Sequence, residues 1–340
     1  MEFSGEIRHA KEAGLRYVHS DEPGYTRVKK GKGFQFLDEK RNLIHDDEEI
    51  SRLKKLAIPP AYVDVWICKD PLGHLQFVAL DVRGRKQYRY HKQWSDVRSG
   101  SKFKRMLKFA KSLPRIRRKT SADLRKSGLP REKVLAAVVR LLERTLIRVG
   151  NEQYAQSNES YGLSTFKNEH VKVESEEITF RFKGKSNVKH HIRLRDRALA
   201  SIVKTCRKFP GSALFQYVDE NEETHAIHSQ DVNEYLQEIT NCSYTAKDFR
   251  TWAATLLAAK AFAKSRKETE SFRSVSETKK KLNEAIDQVA EKLGNTRNIC
   301  RNSYIHPSLI QRFLEGKSIP EADEEEKIIE FLARVGSDAS

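Results

Sequence analysis

Tyr304 closes the stretch Gly294-Asn295-Thr296-Arg297-Asn298-Ile299-Cys300-Arg301-Asn302-Ser303-Tyr304. Upstream, Arg148, Lys185 and Arg250 sit in settings from which three cations could converge on one phosphate. The chemistry open to such a set is attack by the Tyr304 oxygen on a phosphodiester. Taken singly, each residue has a plainer use. Most tyrosines pack with a polar tip turned outward. Arg148, read as lying in the last turn of a helix, would complement the dipole. Lys185 on a Gly-Lys turn is ordinary surface chemistry, and Cys300 reads as a small core residue.

The composition suits a phosphate partner. The chain has 340 residues, enough for two domains, with 38% hydrophobic and 33% charged residues. A net charge of +17 and an isoelectric point near 9.6 point to a polyanion, nucleic acid first. No apolar run approaches the roughly 20 residues that span a bilayer, and Met1 to Glu6 has no apolar signal core. Cys68, Cys206, Cys242 and Cys300 are scattered without a CxxC pair or zinc spacing, and read as reduced thiols. The expected location is cytoplasmic and nucleoid-associated.

The elements that must position these residues divide into two halves. The first hundred residues carry β signals: Leu15-Val18, Tyr25-Lys29, Phe34-Leu37, Val63-Cys68 and Leu75-Asp81, with turns at Lys30-Gly33 and Asp70-Gly73. Glu48 to Ala57 reads as a helix stopped by Pro59-Pro60. Arg83 to His91 interleaves cations with aromatics. It suits phosphate and sugar contacts, and equally an edge strand kept soluble by its charge. From Lys92 the character changes, and helical periodicity begins at Lys102. The boundary is placed near Trp94 to Ser101, giving a β-rich domain over residues 1–95 and a mainly helical one over 96–340. Pro114 to Lys119 is a basic run, either a solvated face or a phosphate-tracking element.

In the second half, a helix opens at Leu129-Pro130 and carries Val134, Leu135, Val138, Leu141 and Leu142 inward, running to Arg148 with Gly150 as its cap. Glu177-Lys183 and Val188-Leu194 alternate around Gly184-Asn187, a β-hairpin with Lys185 at its tip. Arg195–Arg207 and Ser229–Glu238 read as helices. Thr245-Ala246-Lys247-Asp248 fits a capping box that opens a helix with Arg250 in its first turn. A cation there opposes the dipole, so the arginine and the free amides are expected to act on one phosphate. Thr278 to Leu293 is the strongest helix, stopped by Gly294, and a short helix follows over Ser308–Leu314. The tail from Pro320 is acidic, then amphipathic, and reads as a peripheral helix.

Together these segments resemble the type IB DNA topoisomerases, in their small bacterial and poxvirus branch. The matching strings are Leu146-Ile147-Arg148-Val149-Gly150, Phe182-Lys183-Gly184-Lys185, Lys247-Asp248-Phe249-Arg250-Thr251 and Gly294-Asn295-Thr296, with Tyr304 nine positions after Asn295. Gly84 to Tyr90 resembles the DNA-touching strand of that family's N-terminal domain. The likeness runs in consistent order from about Leu15 to Phe313.

The resemblance implies an α+β architecture with a recombinase-like catalytic domain. It also implies a cleavage in which Tyr304 forms a 3′-phosphotyrosyl bond and the freed 5′ hydroxyl later reseals the strand. Arg148 and Arg250 would hold the two non-bridging oxygens. Lys185 would protonate the leaving alkoxide, and Asn295 would donate to a non-bridging oxygen. Poxvirus members carry histidine at the Asn295 position, so asparagine resembles the bacterial branch and removes any histidine titration from that contact. Gln87, Tyr88, Tyr90 and Tyr154 match DNA-touching positions. Asn151 stands where poxvirus enzymes carry a base-reading lysine, so weaker or different sequence selectivity is expected. The implied partner is double-stranded DNA, clamped by a monomer. No metal, ATP or other cofactor is implied.

Two other readings compete. A tyrosine recombinase shares the arginine, lysine and tyrosine logic but usually shows His-x-x-Arg where this chain has Lys247-Asp248-Phe249-Arg250. A non-catalytic architectural DNA- or RNA-binding protein fits the composition equally well but cannot form a covalent adduct.

Overall fold

The computed structural model of the chain describes residues 2–267, 274–320 and 325–337. The described chain falls into two compact units, residues 1–104 and 105–340.

The first unit is built on one antiparallel five-stranded sheet. Its strands are β1 (Tyr25–Lys30), β2 (Gly33–Leu37), β3 (Val63–Ile67), β4 (Leu75–Leu80) and β5 (Lys86–Tyr90), in spatial order β2-β1-β3-β4-β5. The apolar face of this sheet, with Phe36, Val65, Ile67, Phe77 and Ala79, closes on Leu53 of the helix Asp47–Lys55. Asp46 caps that helix by accepting from the amides of Glu48 and Glu49. An N-terminal helix, α1 (Glu2–Glu12), carries no periodicity strong enough to have been expected. Ala10 on it packs with Leu15 and Trp94. Leu15 to Val18 is not a strand: it is extended chain with a single bridge, Arg16 to Gly73.

β5 pairs only with β4 and is therefore an edge, and its burial pattern leaves nearly every side chain exposed. With α2 for Asp47–Lys55, the next helix is α3 (Lys92–Asp123), which starts ten residues ahead of the expected periodicity. It absorbs the Pro114 to Lys119 run. There Ile116 is buried, while Arg115, Arg118 and Lys119 face out.

The second unit is arranged around α4 (Arg131–Thr145). Val134 through Val139, with Leu141 and Leu142, are all at most 1% exposed, so the helix is apolar nearly all round and sits inside the unit. Around it lie α5 (Glu152–Asn158), α6 (Arg197–Cys206), α7 (Ser229–Thr240), α8 (Ala246–Lys267), α9 (Val275–Leu293), α10 (Arg297–Ser303), α11 (Pro307–Leu314) and α12 (Glu325–Ser337). The β content is a three-stranded sheet of β6 (Val171–Glu174), β7 (Glu177–Lys183) and β8 (Lys189–Arg195), plus a small hairpin of β9 (Gln216–Val218) and β10 (Thr224–Ala226). The acidic tail at residues 321–324 lies outside the described residues. The amphipathic part that follows is less peripheral than expected. Ile328 and Leu332 of α12 are fully buried, and Glu325 accepts hydrogen bonds from Arg117 and Trp252.

Candidate active site

The Lys185 hairpin forms as the alternation requires. β7 and β8 pair in unbroken register from Glu177↔Arg195 to Lys183↔Lys189. The tip is a short turn, Lys185–Asn187, in which Ser186 and Asn187 adopt left-handed φ values of 64° and 61°. The Gly184 amide closes it by donating to the Val188 carbonyl at 2.8 Å. Lys185 is exposed at this tip.

Arg148 sits differently from the sequence expectation. α4 ends at Thr145, because Leu146 takes a left-handed φ of 57° and its amide closes onto Leu142 O. Arg148 therefore lies in the extended strap that leaves the helix and is not a last-turn cation, so it has no dipole to complement there. Neighbouring amides pin the strap: Leu163 donates to Arg148 O at 2.9 Å and Ser164 to Val149 O at 2.6 Å. The Arg148 guanidinium donates to Asn295 Oδ1 at 2.5 Å.

Arg250 is 4% exposed. Its side chain crosses from the start of α8 to the C-terminal ends of two other helices. It donates to Leu146 O, at the cap of α4, and to Leu293 O, the last residue of α9, at 2.6 Å for the latter. Carbonyls at helix C-termini are unpaired within their own helices and carry the negative end of the dipole, so they suit a buried cation. At the start of α8, Asp248 accepts from the Thr245 amide and Asn233 from the Ala246 amide, so these two amides are already engaged within the chain.

α9 ends at Gly294 with φ 59°, as its sequence suggests, and the Asn295 amide folds back to Ala290 O at 3.0 Å. Thr296 caps the short α10, accepting from Ile299. Tyr304 stands at the C-terminal end of α10, half-buried. Its amide donates to Cys300 O, and its carbonyl accepts from the Thr255 hydroxyl at 3.1 Å. The Arg250 guanidinium lies 6.0 Å from the centre of its ring. Cys300 is fully buried beneath, with its thiol pushed up by burial.

One cavity of about 470 Å³ gathers Arg148, Lys185, His190, Asn295 and Tyr304, and Arg250 lines a small recess next to it with Arg148, Lys185 and His190. Among the described residues, Glu291 carries the one carboxylate that lines this cavity. Among the described residues neither Arg148 nor Arg250 is paired with a carboxylate. Burial pushes both guanidiniums down. For Arg250 the charge of Arg148 adds to that push, with Tyr304 opposing. Both stay charged, since arginine holds its proton in proteins. Two further donors are buried and unused: Asn295 Nδ2 and Arg250 Nε. A buried donor without an acceptor costs roughly 1–3 kcal/mol. Two guanidiniums with no paired carboxylate among the described residues, together with unspent donors, form an arrangement that can hold an anion.

None of the DNA-contact candidates is among the residues that line this cavity. Tyr154 is 57% exposed on α5, and Asn151 is its N-cap, accepting from the Tyr154 amide at 3.2 Å. That accounts for an asparagine at 151 in local terms, whatever it does with DNA. On β5, Tyr88 and Tyr90 stack at 6.3 Å, and Gln87 donates to Asp81. His190 was not singled out by the sequence. The signal available was its place in the alternation of β8, inward with Ile192 and Leu194.

Residues 88–328, more than half of the chain, match the family model described as eukaryotic DNA topoisomerase I, catalytic core. The chain belongs to the type IB DNA topoisomerase family. Residues 33–81 match the bacterial DNA topoisomerase IB N-terminal domain. The chain is 31% identical over 317 residues to DNA topoisomerase 1B of Acanthamoeba polyphaga mimivirus, covering 92% of this chain and 94% of that one. It is 25% identical over 302 residues to DNA topoisomerase 1B of vaccinia virus, covering 86% and 91%. Among solved structures, the XerH site-specific recombinase bound to difH substrate aligns over 58% of this chain and 51% of its own, at 13% identity and a TM-score of 0.35. That likeness is too slight to separate a recombinase from a topoisomerase. The family match places this chain with the topoisomerases.

Proposed function

We propose that this type IB topoisomerase relaxes positive and negative supercoils by cutting one strand of duplex DNA through Tyr304, letting the duplex rotate, and resealing it. The observation that carries the reading is the pair of guanidiniums, half-buried Arg148 and buried Arg250, set beside Tyr304 and, among the described residues, paired with no carboxylate. In-line attack builds negative charge on two non-bridging oxygens, and forked donors held in a partly dry site stabilise that charge most. Asn295 Nδ2 supplies a further donor, and its Oδ1 is already spent on orienting Arg148. Lys185, on the hairpin tip, protonates the departing 5′ oxygen. The resulting tyrosyl ester keeps the phosphodiester energy, so religation needs no ATP. With the phosphate charge met by arginines and a single carboxylate lining the cavity, the reaction proceeds without a divalent metal.

The first unit contributes the exposed edge β5, whose Tyr88, Tyr90 and basic neighbours suit contacts to sugars and phosphates. The proposed arrangement is a monomeric clamp on duplex DNA, with residues 1–95 closing on the remainder and all catalytic groups supplied in cis. Among the described residues no helix is long and apolar enough to cross a membrane. The place of action proposed is the nucleoid.

The test is an SDS quench of the enzyme on end-labelled duplex. The wild type is expected to leave a covalent adduct on the 3′-phosphate side of the nick, and Tyr304→Phe none, while still retarding DNA. An adduct formed by Tyr304→Phe would move the nucleophile elsewhere.

A further inference from the structure

The geometry points to His190 as the positioning residue that fixes the Lys185 turn against the Asn295 turn. The inference rests on the reading of the cavity as a cleavage site. It goes beyond that reading by naming what sets the distance between the two turns.

Lys185 and Asn295 belong to elements far apart in sequence, and each directly follows a glycine. The His190 ring lies against both glycines. A Cβ on Gly184 would stand 2.8 Å from His190 Cδ2 and Nε2. A Cβ on Gly294 would stand 3.1 Å from Nε2 and closer still to Cε1. Neither contact leaves room for a side chain. Gly294 is doubly constrained, because its φ of 59° also disfavours one. On its remaining side the ring stacks on Phe182, its cross-strand partner, at 4.9 Å and 17°. No described residue hydrogen-bonds the imidazole. It is held by shape, between Phe182 and two bare backbones.

The residue type fits that use. The ring is flat enough to enter the gap between two Cα atoms. Burial first, then the charges of Arg148 and Arg250, push its titration down, so it stays neutral near neutral pH and adds no third charge beside the arginines. The carboxylate nearest in the cavity lining is Glu291, and the remaining charged groups there are Arg148, Lys185 and Lys189. A neutral ring leaves this positive field to the phosphate.

If His190 were removed, Lys185 and the Asn295–Arg148 pair would lose their common reference. Misplacement by about 1 Å costs on the order of 10²-fold in rate.

The experiment compares His190→Ala with His190→Phe in single-turnover cleavage, together with amide hydrogen exchange at Gly184 and Asn295. Those amides are hydrogen-bonded to Val188 O and Ala290 O and report the two turns whether or not the enzyme cleaves. His190→Ala is expected to slow cleavage about 10²-fold at unchanged DNA affinity and to speed exchange at both amides. His190→Phe, which keeps a flat ring, is expected to stay within about fivefold of wild type, with an unchanged pH profile and exchange. Cleavage as slow in His190→Phe as in His190→Ala, with exchange unmoved, would make the imidazole a chemical group and overturn the positioning role. Wild-type exchange in His190→Ala would overturn it as well. Absence of a wild-type adduct would sink the cleavage reading by itself, leaving the exchange result to decide on the positioning.

Discussion

Arg117 and Arg250 belong to the same unit, and both are held by several acceptors, yet they are shifted in opposite directions. Arg117 is clamped between Glu143 and Glu325, and its carboxylate partners raise its pKa above the ordinary value. Arg250 is more deeply buried, donates to two backbone carbonyls and lies against Tyr304, faces a second arginine, and is pushed down. The first arrangement is complete in itself and fastens α12 to α3 and α4. The second leaves its charge without a paired carboxylate among the described residues, and the proposed phosphate would complete it. Lack of a carboxylate alone does not set Arg250 apart, since Arg27 is also pushed down by burial while donating to the carbonyls of Ile58, Pro59 and Tyr62; what distinguishes Arg250 is its place beside Arg148 and Tyr304.

The sharpest way to break that contrast is substitution. Arg250→Ala is expected to slow single-turnover cleavage by roughly 10³-fold, and Arg250→Lys to recover little, because an ammonium cannot reproduce the fork. Arg117→Ala should leave cleavage within about twofold. Equal effects at the two positions, measured on duplex with an SDS quench, would erase the distinction. Next in size, Lys185→Ala is expected to slow cleavage about 10²-fold. The deficit should vanish on a substrate whose 5′ leaving group is a thiolate, which needs no proton. A deficit that persists there would remove the acid role.

Stability should divide the other way. Arg117→Ala is expected to cost about 1 kcal/mol, discounted because the site is partly exposed to solvent, read as a fall in thermal midpoint. Arg117 should also control the acid limb. Burial alone would raise the Glu325 carboxyl, but the hydrogen bonds from Arg117 and Trp252 win, and its folded pKa lies below the ordinary one. Such a group contributes stability above its unfolded pKa, about 4.5, and loses it as pH falls through the folded value. Wild-type stability should therefore drop below pH about 4.5 more steeply than that of Arg117→Ala, a small effect visible in thermal melts. Identical slopes would show that the link carries no pH dependence.

The hairpin and the α9 stop were legible because each rests on a local rule: strict alternation around Gly184-Asn187, and a glycine placed where a left-handed residue ends a helix. The register and caps follow those rules. The sequence puts Arg148 in the last turn of α4, whereas the structure puts it in the strap beyond the helix. Periodicity runs on through Leu146, and nothing in the local sequence announces that this leucine turns left-handed and ends the helix three residues early. Arg250 was flagged by its conflict with the α8 dipole, but its partners are carbonyls on two other helices, a tertiary fact. α1 and α10 were missed because polar and basic residues obscure their patterns. His190 escaped because a histidine in a strand reads as an edge residue until the two glycines it touches are known.

If arginine charge alone neutralises the cleaved phosphate, supercoiled plasmid should relax in EDTA without ATP. Wild type is expected to relax both positive and negative supercoils completely, and Arg250→Ala neither over the same interval. Relaxation that appears only when a divalent metal is restored, or that survives in Arg250→Ala, would contradict that role of the arginines.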